Sequence, residues 1–81
     1  MGFLKYHATE LMEMSNNQLE RSIAAHHVPV EQRNVYKVFM TRARRAAQAG
    51  IITGNIEIRH SGVYILSGRG GPNEQVNLDD F

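Results

Sequence analysis

Residues 30–50 read Val30-Glu31-Gln32-Arg33-Asn34-Val35-Tyr36-Lys37-Val38-Phe39-Met40-Thr41-Arg42-Ala43-Arg44-Arg45-Ala46-Ala47-Gln48-Ala49-Gly50, and they form the best-marked element of the chain. Pro29 pre-sets the backbone for a helix entrance, Glu31 sits near the positive end of the helix dipole, and Gly50 suits the residue just past a helix end. A helix from Pro29 to Ala49 is therefore expected. On a wheel of about 100° per residue with Lys37 at zero, Gln48, Thr41, Asn34 and Arg45 fall between about 20° and 80°, and Arg33 and Arg44 between about 320° and 340°. The long polar donors share one face. Val35, Val38, Phe39, Ala43, Ala46, Ala47 and Ala49 fall between about 100° and 280°, which is the expected core-facing stripe; Met40 falls just outside it and Arg42, at about 140°, within it, and both are expected at the margins of the core.

Working towards the N-terminus, Ser15 followed by Gln18 predicts a reciprocal cap opening a second helix, with Leu19 and Ile23 as its apolar stripe. That helix ends at Val28-Pro29, because proline disfavours helical backbone in the residue before it. Phe3, Leu4, Tyr6, His7, Leu11, Met12 and Met14 recur at spacings near the helical period, so a first helix is expected from Phe3 to Glu13.

Towards the C-terminus the period changes from 3.6 to 2. Ile56 and Ile58 alternate with Glu57 and Arg59, and Val63 and Ile65 with Tyr64 and Leu66, around a turn at His60-Ser61-Gly62 where Gly62 supplies a positive φ. The expected fold class is α+β: three helices followed by a C-terminal β-hairpin. One domain over residues 1–67 is expected, with order ending near Leu66. Ser67-Gly68-Arg69-Gly70-Gly71-Pro72 reads as a linker into a flexible, acidic tail, residues 68–81.

The chain has 81 residues, no cysteine and a net charge of only +1. So small a domain buries about 60% of its unfolded surface, leaving little room for a catalytic cleft. No acid, base and nucleophile are arranged to converge, so no enzymatic activity is expected. The lack of cysteine excludes a disulfide framework and suits the cytoplasm. No stretch approaches the roughly 18 apolar residues of a membrane span. His7, His26, His27 and His60 have no metal-ligand spacing, and no metal or other cofactor is expected.

Charge is uneven along the chain. From Arg33 to Arg69 seven cations face one acid, Glu57, for a net charge of +6. Six of those seven are arginines, whose planar fork suits phosphate oxygens and guanine edges. Nucleic acid is the partner this pattern favours.

The order helix, helix, basic helix, hairpin, with Ala43-Arg44-Arg45-Ala46-Ala47-Gln48-Ala49-Gly50-Ile51-Ile52 followed by Ser61-Gly62-Val63-Tyr64-Ile65-Leu66, resembles the recognition helix and wing of winged helix-turn-helix domains. The resemblance covers about residues 8–67. It departs from that family in showing no strand between the first two helices and in placing its cations in the middle and end of the third. It implies a transcriptional regulator whose third helix enters the major groove of double-stranded DNA while Arg59, His60 and Ser61 at the hairpin tip reach backbone or minor groove. Thr41, Arg44, Arg45 and Gln48 are then the base readers, and Arg33, Lys37 and Arg59 hold phosphates.

A second expectation is a small adaptor or inhibitor, of the kind phage and mobile elements encode, that applies the same face to an acidic surface of a larger host protein. Met12, Met14 and Met40 read most simply as core filler or margin residues, and with Phe3 and Tyr6 they offer an alternative surface for a homodimer or a partner. The last residues, Val76-Asn77-Leu78-Asp79-Asp80-Phe81, resemble the acidic tips of single-stranded-DNA-binding proteins. That resemblance implies that Asp79, Asp80 and Phe81 either fold back on the arginine face or dock a partner.

Overall fold

A computed structural model of the chain describes residues 4–66 and 74–81. In chain order the elements are strand β1 (Leu4–His7), helices α1 (Ala8–Met12), α2 (Asn16–Ala25) and α3 (Val30–Gln48), and strands β2 (Asn55–Arg59), β3 (Gly62–Ile65) and β4 (Glu74–Val76). The strands form one antiparallel sheet in the order β1-β2-β3-β4.

This corrects the expected three helices followed by a hairpin. A strand precedes the helices, and the hairpin β2-β3 lies in the middle of a four-stranded sheet. The physical reason lies in residues 4–7. Leu4 and Tyr6 are buried while Lys5 and His7 are exposed, the alternation of a strand with one face on a core. Leu4 pairs with Ile58 and Tyr6 with Ile56, so two apolar rows continue across the strands. Helix α1 is therefore only five residues long and starts at Ala8 behind an N-cap at His7. The His7 N–H donates to Glu10 Oε1 at 3.3 Å, and the Ala8 N–H donates to the Gly54 carbonyl at 2.7 Å, pinning the strand-helix junction to the start of β2.

The expected second and third helices are present. The Gln18 N–H donates to Ser15 Oγ at 3.2 Å and the Ser15 N–H to Gln18 Oε1 at 2.7 Å, the reciprocal cap that starts α2. At the other end of α3, Ile51 N–H bonds the Ala46 carbonyl and Gly50 N–H the Ala47 carbonyl. Gly50 carries a φ of +76°, so this is the left-handed glycine termination that satisfies the last carbonyls.

All three helices lie on one face of the sheet. Leu4, Leu11, Leu19, Met40, Ile52, Ile56, Ile58 and Val63 are the largest fully buried side chains, drawn from both layers. Ala43, Ala46 and Ala47 of α3 are also buried, and these small side chains bring the helix close to its neighbours. At the hairpin turn Gly62 has a φ of +147°, and a Cβ there would lie 2.6 Å from Gln75 Nε2 of β4. The φ is what requires glycine, since the Gln75 amide is the tip of a flexible side chain that can move aside.

The C-terminal residues also differ from expectation. The segment 74–81 does not leave the fold as a tail: β4 pairs with β3, Leu78 is 5% exposed, and Phe81 packs against the core. Two apolar side chains at Val76 and Leu78, facing the helices, supply the burial that holds it. The linker read over residues 67–72 lies outside the described residues. No helix among the described residues is long and apolar enough to cross a membrane.

Candidate nucleic-acid interface

Helix α3 carries most of the expected interface, and its orientation decides what each side chain can do. Its buried residues are Tyr36, Met40, Ala43, Ala46 and Ala47, which span about 180° to 300° on the wheel that has Lys37 at zero. The core stripe is thus rotated by about 50° from the one the apolar residues suggest. Val35 and Val38, expected in the core, are each 40% exposed, whereas Tyr36 is buried. The rotation turns Arg33, Arg44 and Gln48 towards α1, α2 and their connecting turns.

Those three residues hold the chain's own backbone. Arg33 Nε donates to the Val28 carbonyl at 3.0 Å. Arg44 donates from Nη1 to the Met14 carbonyl at 3.0 Å and from Nη2 to Asn16 Oδ1 at 2.8 Å. Gln48 Nε2 donates to the Met12 carbonyl at 3.2 Å. The α1-α2 connection is short and irregular, and the carbonyls of Met12 and Met14 find no helical partner there, so α3 supplies donors to them. Hydrogen bonds to neutral oxygens leave the charges of Arg33 and Arg44 uncancelled.

The outward face is built differently. Lys37 Nζ pairs with Glu20 Oε1 of α2 at 2.6 Å, both side chains being about half exposed. Thr41 Oγ1 donates to the Lys37 carbonyl one turn back, at 2.8 Å. The Arg45 side chain is exposed, with no hydrogen-bond or ion-pair partner among the described residues. Lys37, Thr41 and Arg45 line one cleft of about 350 Å³ together with Asn34, Val38, Arg42 and Phe81. Arg42 was expected at the margin of the core, yet its guanidinium reaches this face and lies 3.6 Å from Asp79 Oδ1.

The hairpin residues do not join that surface. Ile56 and Ile58 face the helices, so by strand alternation Glu57 and Arg59 face the opposite side of the sheet. There Arg59 pairs with the buried Glu57 carboxylate, at 2.6 Å from Nη2 and 2.8 Å from Nε, and its guanidinium lies 4.7 Å from the Tyr64 ring centre. The register puts Lys5, Glu57, Tyr64 and Gln75 in one row across all four strands. His60 and Ser61 are exposed at the turn, where the Ser61 hydroxyl shares a hydrogen bond with Tyr64 at 2.8 Å. Ser61 does border a second cleft, of about 480 Å³, with Phe39 and Arg42 of α3 and with Asn77, Leu78 and Asp79.

The expected site therefore divides into three groups: Lys37, Thr41 and Arg45 facing outward together, Arg33, Arg44 and Gln48 bracing the helical layer, and the hairpin residues, with Arg59 on the far side of the sheet and His60 and Ser61 at the turn. Asn34, Val38 and Arg42 belong with the outward group. Their position follows from the rotation of α3, which a wheel centred on valines conceals. The expected tail residues meet the same face, Asp79 beside Arg42 and Phe81 in the cleft, while Asp80 is exposed next to them. Among the described residues no three His, Cys, Asp or Glu side chains are grouped as metal ligands. The chain matches no protein-family model, no curated protein and no solved structure with which it was compared.

Proposed function

We propose that this chain is a small DNA-binding protein that holds duplex phosphates along the outward face of α3. The observation that supports this most is the cluster of Lys37, Arg42 and Arg45 around one cleft, with Arg45 exposed and free of any partner among the described residues. Helix α3 has 19 residues and so spans about 28 Å, enough to cross several phosphates of a duplex groove. Arg33 and Arg44 add charge to that field without offering their forks to bases, since both are bonded to the chain's own oxygens. Gln48 is held in the same way. Binding on this reading is dominated by backbone contacts, with Thr41 and Arg45 as the remaining candidates to touch base edges. Regulation of transcription in the cytoplasm is the setting such a protein suits.

The test is anisotropy of a labelled random-sequence duplex titrated with the protein at several salt concentrations. Phosphate contacts from Lys37, Arg42 and Arg45 give a slope of log K against log salt of about −3, at about −0.9 per contact. Arg45→Glu lowers affinity about tenfold at low salt and leaves the melting temperature unchanged, because an exposed, unpartnered side chain carries little of the fold's stability. Absence of binding at low salt overturns the proposal.

A second reading has its own observation. Val30, Val35 and Val38 are 76%, 40% and 40% exposed on α3 beside the same cations. Apolar side chains rimmed by arginine suit an acidic protein surface better than a DNA groove. On that reading the chain is an adaptor or inhibitor of a larger protein, or pairs with a second copy of itself. Val38→Asp then abolishes association, seen as loss of a complex or of a dimer in sedimentation equilibrium, while duplex affinity is absent from the start.

A further inference from the structure

The residues after β4 form a compact strap over α3. Leu78 is buried and anchors it to the core. The Asp79 N–H donates to Asn77 Oδ1 at 3.0 Å, and the Phe81 N–H donates to the Leu78 carbonyl at 3.0 Å, so the strap is folded into a turn on either side of that anchor. One cleft lies on one side of it, bordered by Phe39, Arg42 and Ser61; the cationic cleft with Lys37, Thr41 and Arg45 lies on the other, with Phe81 as part of its wall. The strap thus crosses α3 at Arg42, where Asp79 Oδ1 stands 3.6 Å from the guanidinium.

From this we infer that Asn77–Phe81 is an intramolecular competitor for the phosphate-binding face, its Asp79 carboxylate standing beside Arg42 where a duplex phosphate docks, Asp80 adding charge next to it, and its Phe81 ring keeping the strap there. The inference rests on the proposal that α3 binds DNA. The Asp79 side chain is 84% exposed, so its pair with Arg42 is solvent-screened and readily exchanged for a phosphate. The covalent tether offsets that weakness, because a group held within reach acts at an effective concentration in the millimolar range. The result is a binding face whose affinity is set by its own chain: duplexes bind only where several phosphates together displace the strap.

The experiment compares duplex affinities by anisotropy for the wild type and three variants at low and moderate salt. Asp79→Asn/Asp80→Asn tightens binding about three- to tenfold at low salt, with the gain shrinking as salt screens the carboxylates. Glu10→Gln/Glu13→Gln, which changes net charge equally but on α1 and at its C-cap, leaves affinity within about twofold of wild type. Phe81→Ala keeps every charge but removes the ring from the cleft, and it also tightens binding. Equal gains from the two charge-neutralised pairs show a long-range charge effect only and overturn it. An unchanged aspartate variant alongside a wild type that binds overturns the strap and leaves the DNA reading standing. If no protein in the set binds duplex, both fall together.

Discussion

Arg44 of α3 reaches the Met14 carbonyl at 3.0 Å and Asn16 Oδ1 at 2.8 Å, tying the helix with the most cations to the turn between α1 and α2. The carbonyl it satisfies is part-buried, and two donors of one rigid guanidinium serve it and a neighbouring amide together. Arg44→Ala therefore lowers unfolding stability by about 1–2 kcal/mol, read from urea midpoints. Arg44→Lys recovers less than half of this, since a single ammonium does not reproduce the fork. A variant at this position that loses DNA affinity without losing stability contradicts the bracing role.

Packing makes a second demand on α3. Ala43 is fully buried where the helix meets its neighbours. Ala43→Leu adds three carbons to a space already filled and destabilises the fold by about 1–3 kcal/mol. For a domain of this size each kcal/mol lowers the melting temperature by about 4–8 °C, so calorimetry resolves the change. A neutral result at this site implies unfilled volume beside α3.

On the opposite side of the sheet, Glu57 is 3% exposed and depends on Arg59 for its partner. Arg59→Ala leaves a desolvated carboxylate behind and costs about 2 kcal/mol. Adding Glu57→Gln to that variant restores part of the loss, because a neutral amide is easier to bury. Equal stability of the single and double variants shows that the carboxylate is hydrated without Arg59.

Alkaline pH probes the junction of β1 and α2. Burial of Tyr6 raises its phenol above the ordinary value of 10.0; its hydrogen bond with the Ser22 hydroxyl opposes that rise, and the Glu10 charge adds to it. The fold thus favours the neutral phenol. A raised pKa contributes stability that is fully present below pH 10.0 and is lost as pH climbs through the folded value, since the unfolded chain releases its proton first. Urea midpoints of the wild type fall as pH rises above about 10, and Tyr6→Phe flattens that part of the profile. Identical profiles for the two proteins place the alkaline loss elsewhere.

The parts of this fold that were legible in the amino-acid order are those specified by neighbouring residues. Ser15 with Gln18 starts α2, Gly50 ends α3, and alternation around Gly62 marks the hairpin. β1 was not legible, because Leu4 and Tyr6 also fit a helical stripe shared with Leu11, and their strand partners Ile58 and Ile56 lie far along the chain. β4 has three residues, too few to show a period, and it is held by burial of Val76 and Leu78. For the site, arginine enrichment located the right helix but not the right side chains. Arg44 and Gln48 bind carbonyls of Met14 and Met12, and a backbone carbonyl leaves no trace in residue type. Valine likewise suggested a core position at Val35 and Val38, whereas Tyr36, a residue able to bury its ring and keep its hydroxyl near water, took that place.

Leu4 and Ile58, 54 positions apart, are neighbours in the sheet. A ribosome synthesising this chain releases β1 first and its partner strand only after all three helices have been made. Until then the inner faces of Leu4 and Tyr6 have no strand beside them, and the helices have no floor. Long-range pairing of this kind slows folding relative to a helical bundle of the same size. A nascent chain halted before Asn55 therefore exposes apolar surface to chaperones and proteases, and the core closes only once β3 and the segment with Leu78 have followed β2, because Val63 and Leu78 belong to it.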